Sequence, residues 1–89
     1  MNNNTIDNNS PTSSSVQVRS MIANLLGIDI SQISIFSSFK SLGCDDLDLL
    51  EILMDTEKSF GVVISDYQVS SFVYVGDLVS YIDAYLSVK

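Results

Sequence analysis

Histidine and tryptophan are absent from this 89-residue chain, and cysteine and proline each occur once. Without histidine the chain cannot form a Ser-His-Asp or Cys-His catalytic site, or a metal site with imidazole ligands. Its single thiol, Cys44, supports neither a disulfide framework nor a thiolate zinc site, and an unpaired thiol is typical of a reducing compartment. These absences argue against catalysis, and we expect a protein that is not an enzyme.

Long apolar runs and basic residues are also scarce. No apolar run approaches the roughly 20 residues of a membrane-spanning helix. No basic region followed by an apolar stretch marks a secretory signal, so a cytoplasmic protein is expected. Eleven Asp and Glu stand against four Lys and Arg, a net charge of -7. This charge disfavours nucleic acid and anionic membranes and favours basic patches on other proteins, although acidity that only keeps a small protein soluble explains it equally well.

The composition changes near residue 15. The first 14 residues are rich in Asn and Ser and hold too few apolar residues to offset the entropy lost on ordering. The remainder contributes most of the 46% apolar content, enough for one small core. The sequence therefore predicts a disordered tail over 1–14 and a single domain over 15–89, which we expect to be a monomer.

Apolar residues recur at helical spacing in three segments. They predict helices over 15–26, about 46–59 and about 75–86, with a further short helix near 67–72. The connection over 28–43 holds seven large apolar residues, too many for a solvated loop. We interpret it as an ordered loop packed over the helices, because no partner strands follow. The predicted fold is a small all-α bundle of four helices with a long loop between the first two.

Polar residues stand where these helices begin, and glycine follows where two of them end. Ser14 or Ser15 is expected to cap the first helix, and Asp45 or Asp46 the second. Gly27 is expected to end the first helix and Gly61 the second, because glycine adopts the left-handed conformation common at helix ends.

The stretch Leu42-Gly43-Cys44-Asp45-Asp46-Leu47-Asp48 resembles the signature of the acyl carrier protein family, typically Leu-Gly-small-Asp-Ser-Leu-Asp. The resemblance covers about residues 16–86, in register. It includes Phe39, Phe60-Gly61, Ile64-Ser65-Asp66 and Val75-Gly76-Asp77-Leu78. It implies a carrier-protein fold, a role in fatty acid, polyketide or related acyl metabolism, and partner enzymes that present basic patches.

The chain departs from this signature at Asp46. In the family a serine stands here, and its hydroxyl receives the 4'-phosphopantetheine arm of coenzyme A inside a phosphopantetheinyl transferase. A carboxylate has no hydroxyl to react, so no cofactor is expected here, whereas a serine would imply the arm. Three interpretations stay open. In the first, Asp46 has only a structural role, as a helix cap as good as serine. In the second, it imitates the negative charge of the modified serine. In the third, it disables a genuine carrier.

Acidic residues line one side of the second helix. Asp48, Glu51 and Asp55 follow one another at spacings of three and four, which places them on one stripe. Asp45 precedes this stripe and Glu57 flanks it. The resemblance implies that the stripe docks on basic partner enzymes, including the surface of a phosphopantetheinyl transferase. An ordinary solvated helix face is the alternative.

Three other features of this segment allow more than one interpretation. Leu47 and Met54 lie seven residues apart. They are either apolar anchors beside the acidic stripe or residues that face the core. The acidic cluster lacks the alternating ligands and central glycine of an EF-hand loop, so no metal site is predicted. Cys44 is interpreted as a packing residue, because neighbouring Asp45 and Asp46 should raise the pKa of its thiol; a reactive thiol is the alternative.

Overall fold

The computed structural model describes residues 13–87. Three α-helices, here named α1, α2 and α3, run over Ser13–Leu26, Asp46–Phe60 and Val75–Ser87. Two 3₁₀ helices lie between them, over Ile30–Gln32 and Asp66–Ser71. Residues 13–87 contain no β-strand, only an isolated bridge between Ser38 in the long loop and Tyr74 just before α3. The predicted all-α bundle of three long helices and one short one is confirmed.

The first helix begins two residues earlier than its apolar pattern predicts. Because α1 starts at Ser13, both Ser14 and Ser15 lie inside its first turn, and the prediction that one of them caps the helix is wrong. Both serines are buried, and the Ser14 hydroxyl donates a hydrogen bond to the carboxylate of Asp83 on α3. Of the tail predicted over 1–14, residues 1–12 lie outside the described part of the chain.

Glycine ends both α1 and α2. Gly27 and Gly61 have φ values of 69° and 70°, in the left-handed region that residues with a side chain rarely adopt. The Gly61 N–H donates to the carbonyl of Glu57 at 2.9 Å, which closes the last turn of α2. These stops set the length of each helix and therefore where the connecting segments leave the bundle.

The core forms where α1 packs against both α2 and α3. All three helices contribute fully buried side chains, including Val18, Ile22, Ile52, Leu78 and Ile82. The helix faces predicted from apolar spacing therefore point inward over most of α1 and α3. In α2 the residues at this spacing are divided between the core and the surface. No helix within residues 13–87 is long and apolar enough to cross a membrane.

The long loop between α1 and α2 is part of this core. Ile33 and Phe39 are 2% and 4% exposed, and the Phe39 N–H donates to the carbonyl of Val73 at 3.0 Å. This confirms an ordered loop rather than a pair of strands. The burial is uneven, however, because Ile35 and Phe36 face solvent although the pattern counted them among the packed residues.

Candidate functional site

The start of α2 is held by a reciprocal pair of hydrogen bonds between two aspartates. The Asp45 carboxylate accepts the Asp48 N–H at 2.8 Å, and the Asp48 carboxylate accepts the Asp45 N–H at 3.2 Å. This capping box satisfies two backbone donors at a helix end. Of the two predicted caps, the structure selects Asp45.

Asp46 is the first residue of α2, lies outside the capping box and is exposed. The unpaired N–H groups of the first turn give this end of the helix a partial positive charge. An anion at Asp46 is therefore favoured by position alone. Solvent exposure leaves the carboxylate accessible to a partner protein.

A groove of about 340 Å³ adjoins Asp46. It lies between the long loop, α2 and the segment before α3, with Phe39, Leu49 and Phe72 among its lining residues. Lys40 also lines it, so a cation stands in the same groove as Asp46. Sequence reasoning did not single out Lys40. The chain folds back at Gly43, where the φ is 91°, and only this turn brings the two residues into one groove.

Cys44 is half-buried in the same groove. Burial raises the pKa of its thiol, and the nearby carboxylates of Asp48 and Asp45 raise it further. The direction agrees with the sequence prediction, but burial is the main cause and Asp48 acts where Asp46 was expected. A raised pKa lowers the fraction of nucleophilic thiolate at neutral pH, which supports packing as the role of this residue.

The acidic residues predicted for docking divide into two groups. Glu51 and Asp55 are exposed on α2. Asp48 is half-buried and engaged in the capping box, and the Glu57 carboxylate accepts the Ile64 N–H at 2.9 Å. The structure therefore brings Asp45, Glu51 and Asp55 to the surface, while the carboxylates of Asp45, Asp48 and Glu57 also accept backbone hydrogen bonds.

Two apolar residues stand beside the exposed acids. Leu47 and Met54 are 75% and 58% exposed, so neither is a core residue. They line a groove of about 520 Å³ together with Leu50, Glu51, Asp55 and Lys58. Leu50 is 44% exposed although it follows the apolar helical spacing of this segment. Residues 47, 50 and 54 share one stripe at spacings of three and four, which is also the spacing of the core residues of this helix, so only the packing of the folded chain distinguishes the two.

Metal-ligating side chains do not assemble in the described part of the chain. Within residues 13–87, no three Asp, Glu or Cys side chains come together as ligands would. The acids of α2 are spread along the helix.

Comparison with known proteins relates this arrangement to one family. Residues 16–82 match the family model described as a phosphopantetheine attachment site. An acyl carrier protein of Helicobacter pylori is 42% identical over 67 residues, covering 74% of this chain and 86% of that protein. An acyl carrier protein of Exiguobacterium is 40% identical over 72 residues, covering 80% and 91%. The crystal structure of an acyl carrier protein from Thermotoga maritima superposes with a TM-score of 0.71 at 25% identity, covering 81% of this chain and 85% of that one.

Proposed function

This chain belongs to the acyl carrier protein family, and we propose that it docks on partner enzymes through α2 while Asp46 prevents loading with phosphopantetheine. Members of this family are carriers that interact with the enzymes of acyl metabolism and are not themselves enzymes. The partners we propose are enzymes of fatty acid or polyketide metabolism in the cytoplasm that present basic patches. A single chain supplies the whole docking surface.

The proposed inability to carry the arm follows from the chemistry of one side chain. By the resemblance in register, Asp46 occupies the position of the attachment serine. Access is not the obstacle, because Asp46 is exposed at the start of α2. The carboxylate has no hydroxyl with which to form a phosphodiester, and its reaction with a phosphoryl group would give a labile acyl phosphate. The residues at this position therefore do not fit the arm.

Nearby serines offer no ready substitute. The Ser41 hydroxyl donates to the Ser38 carbonyl at 2.9 Å, and the Ser37 hydroxyl accepts the Ser34 N–H at 3.1 Å. Both hydroxyls take part in turns of the long loop that precede Gly43. We propose instead that Asp46 imitates the negative charge of a modified serine, which the start of a helix favours in either form.

The observation that carries the docking proposal is the exposure of Leu47 and Met54 beside Glu51 and Asp55. Apolar side chains this exposed, in a groove with acids, are typical of a protein interface with a desolvated centre and a charged rim. The acids steer a basic partner toward the surface and the apolar residues supply contact area once it arrives.

The first experiment measures the intact mass of the chain after incubation with coenzyme A and a broad-specificity phosphopantetheinyl transferase, beside Asp46→Ser. We expect only the serine variant to gain the arm, which identifies Asp46 as the single block. A mass gain on the unaltered chain would mean that another residue accepts the arm, and the proposal would fail. If neither protein gained mass, the surface recognised by the transferase would be missing as well.

The docking surface is tested in the Asp46→Ser background, with the transferase as partner. Glu51→Lys and Asp55→Lys are each expected to lower kcat/KM for arm transfer about tenfold, equal to about 1.4 kcal/mol. Asp66→Lys is the matched control, because it makes the same charge change at an exposed residue outside α2. Asp48 is left intact because its carboxylate closes the capping box. Equal losses in all three variants would assign the effect to net charge and reject a docking surface on α2.

A second candidate function is a genuine carrier disabled at one position. It is favoured by the placement of Asp46 outside the capping box, since α2 begins correctly without that carboxylate. The arm-loaded Asp46→Ser protein would then accept an acyl group from an acyl-metabolism enzyme. Failure of the loaded variant to be acylated would count against this candidate.

A further inference from the structure

A groove between α1 and the long loop places a cation among apolar side chains. It has a volume of about 300 Å³, and Arg19, Ile33, Ile35 and Phe36 are among the residues that line it. Phe36 is 83% exposed. The turn that carries this ring is preformed, because the Phe36 N–H donates to the Ser34 hydroxyl at 2.9 Å. An aromatic ring held in this way loses little conformational entropy when a contact covers it.

Arg19 supplies the charge in this groove. Its guanidinium donates to the Ile33 carbonyl at 3.5 Å, longer than the roughly 2.7–3.2 Å of a normal hydrogen bond. Within residues 13–87, no acidic side chain lines the groove with it. A guanidinium carries five N–H donors in a planar fork that matches a carboxylate. The groove therefore fits a carboxylate that stands next to an apolar side chain.

The N-terminal segment that precedes the described residues offers this combination once. Among residues 1–12, Asp7 is the one acidic residue, and Ile6 stands directly before it. We propose that these two residues occupy the groove of the same chain, with Ile6 beside Phe36 and the Asp7 carboxylate paired with Arg19. The inference is independent of the proposed docking through α2.

The groove lies within reach of this segment. The chain enters α1 at Ser13, and both Ser15 and Arg19, four residues apart on one side of that helix, line the groove. Arg19 lies roughly 9 Å along the helix axis from Ser13, because each residue adds about 1.5 Å. The chain from Asp7 to Ser13 can span about 20 Å when extended. Asp7 can therefore reach Arg19 if the chain turns back, and Ser10-Pro11 is a pair that favours a turn.

Tethering and charge favour this segment over other occupants. A short tether gives the segment an effective concentration in the millimolar range, which a separate molecule would have to match. A second copy would bring a further net charge of -7 to the surface, and repulsion disfavours it. The contact holds two residues only, so it does not require the whole polar segment to become ordered. It covers Phe36 and leaves α2 accessible, since no residue of α2 within the described chain lines this groove.

A single tryptophan in place of Phe36 reports the contact, because the chain contains no tryptophan and the Phe36 ring is exposed. In the full-length Phe36→Trp chain, acrylamide quenching of fluorescence measures access to the ring, and the quencher is neutral. We expect Ile6→Ser and Asp7→Lys in this background to raise the quenching constant about twofold, as loss of a contact occupied for about half of the time would. Both substitutions lie before residue 13, so the helical circular dichroism should not change.

Exchange of the two charges tests the pair itself. Arg19→Glu should raise the quenching constant as Asp7→Lys does, and the double variant with both substitutions should restore the value of the Phe36→Trp chain. Asp66→Lys is the matched control, because it makes the same charge change as Asp7→Lys at an exposed residue outside the groove. It should leave the quenching constant unchanged.

Four results would overturn the proposal. Three of them concern the variants: quenching that Ile6→Ser leaves unchanged, quenching that Asp66→Lys raises as much as Asp7→Lys does, or a charge exchange that fails to restore protection. The first of these would assign the Phe36 surface to contact with a different protein. The fourth is protection that increases with protein concentration, which would assign the groove to a second copy of the chain.

Discussion

Replacement of Asp45 by alanine separates the structural role of the α2 start from the chemical role of its neighbour. The Asp45 carboxylate accepts the Asp48 N–H at 2.8 Å, and its loss leaves a first-turn donor without its protein partner. Asp46 is one residue further on and lies outside this capping box. Two adjacent aspartates with the same charge are therefore expected to differ in their effect on folding.

The expected magnitude follows from the geometry of the cap. Loss of an aspartate N-cap costs about 0.5–2 kcal/mol, typically about 1 kcal/mol, in the free energy of unfolding. For a domain of this size, about 1 kcal/mol corresponds to a Tm lower by roughly 4–8 °C. Asp45→Asn should retain most of the stability, because asparagine caps a helix as well as aspartate does. Asp46→Ala should change the free energy of unfolding by less than about 0.5 kcal/mol, as exposed substitutions usually do.

Thermal and urea unfolding of the three variants, followed by far-ultraviolet circular dichroism, measures these differences. The denaturant slope should stay constant, so that a lower midpoint reports stability alone. An Asp46→Ala variant as destabilised as Asp45→Ala would refute the assignment of the cap to Asp45. It would also weaken the argument that Asp46 is free to serve partner recognition.

Three other predictions concern packing and reactivity. Gly76→Ala should destabilise the fold by about 1–2 kcal/mol in urea unfolding, because its Cβ would lie 2.8 Å from the Ile35 oxygen; an unchanged midpoint would contradict that close approach. Leu53→Ala should lower the free energy of unfolding by about 2–5 kcal/mol and Leu47→Ala by less than about 0.5 kcal/mol, because Leu53 is 3% exposed and Leu47 is 75% exposed. Equal losses in urea unfolding would show that Leu47 is packed in the core. Alkylation of Cys44 by iodoacetamide should reach its midpoint at a higher pH than alkylation of a cysteine in a short unstructured peptide, because burial and the carboxylates of Asp48 and Asp45 raise the thiol pKa. A midpoint at or below that of the peptide would reverse this assignment.

Local pattern was sufficient for the order and approximate limits of the helices. Apolar residues at spacings of three and four mark the face of each helix, and Gly27 and Gly61 end α1 and α2 as expected. Ser14 was expected as a cap but lies buried in the first turn of α1, where its hydroxyl donates to Asp83, 69 residues away in the chain. A contact between the two ends of the domain has no local signature.

The candidate site was predicted as a set of residues but not as a surface. Spacing placed Asp48 and Glu51 on one stripe, yet only Glu51 is exposed, because Asp48 closes the capping box. Lys40 was overlooked because its relation to Asp46 depends on the turn at Gly43.

By itself, the sequence determined that the chain is acidic, helical and without histidine chemistry, and that a carboxylate stands at the start of α2. These properties depend on residue type and on periodicities within one turn or two, which neighbours in the chain decide. Only the tertiary structure decided that Leu47 and Met54 face solvent and that Phe36 protrudes while Phe39 is buried. The exposure of a side chain depends on which distant elements pack against it. Apolar spacing marks one face of a helix, but it does not show whether that face meets the core or the solvent.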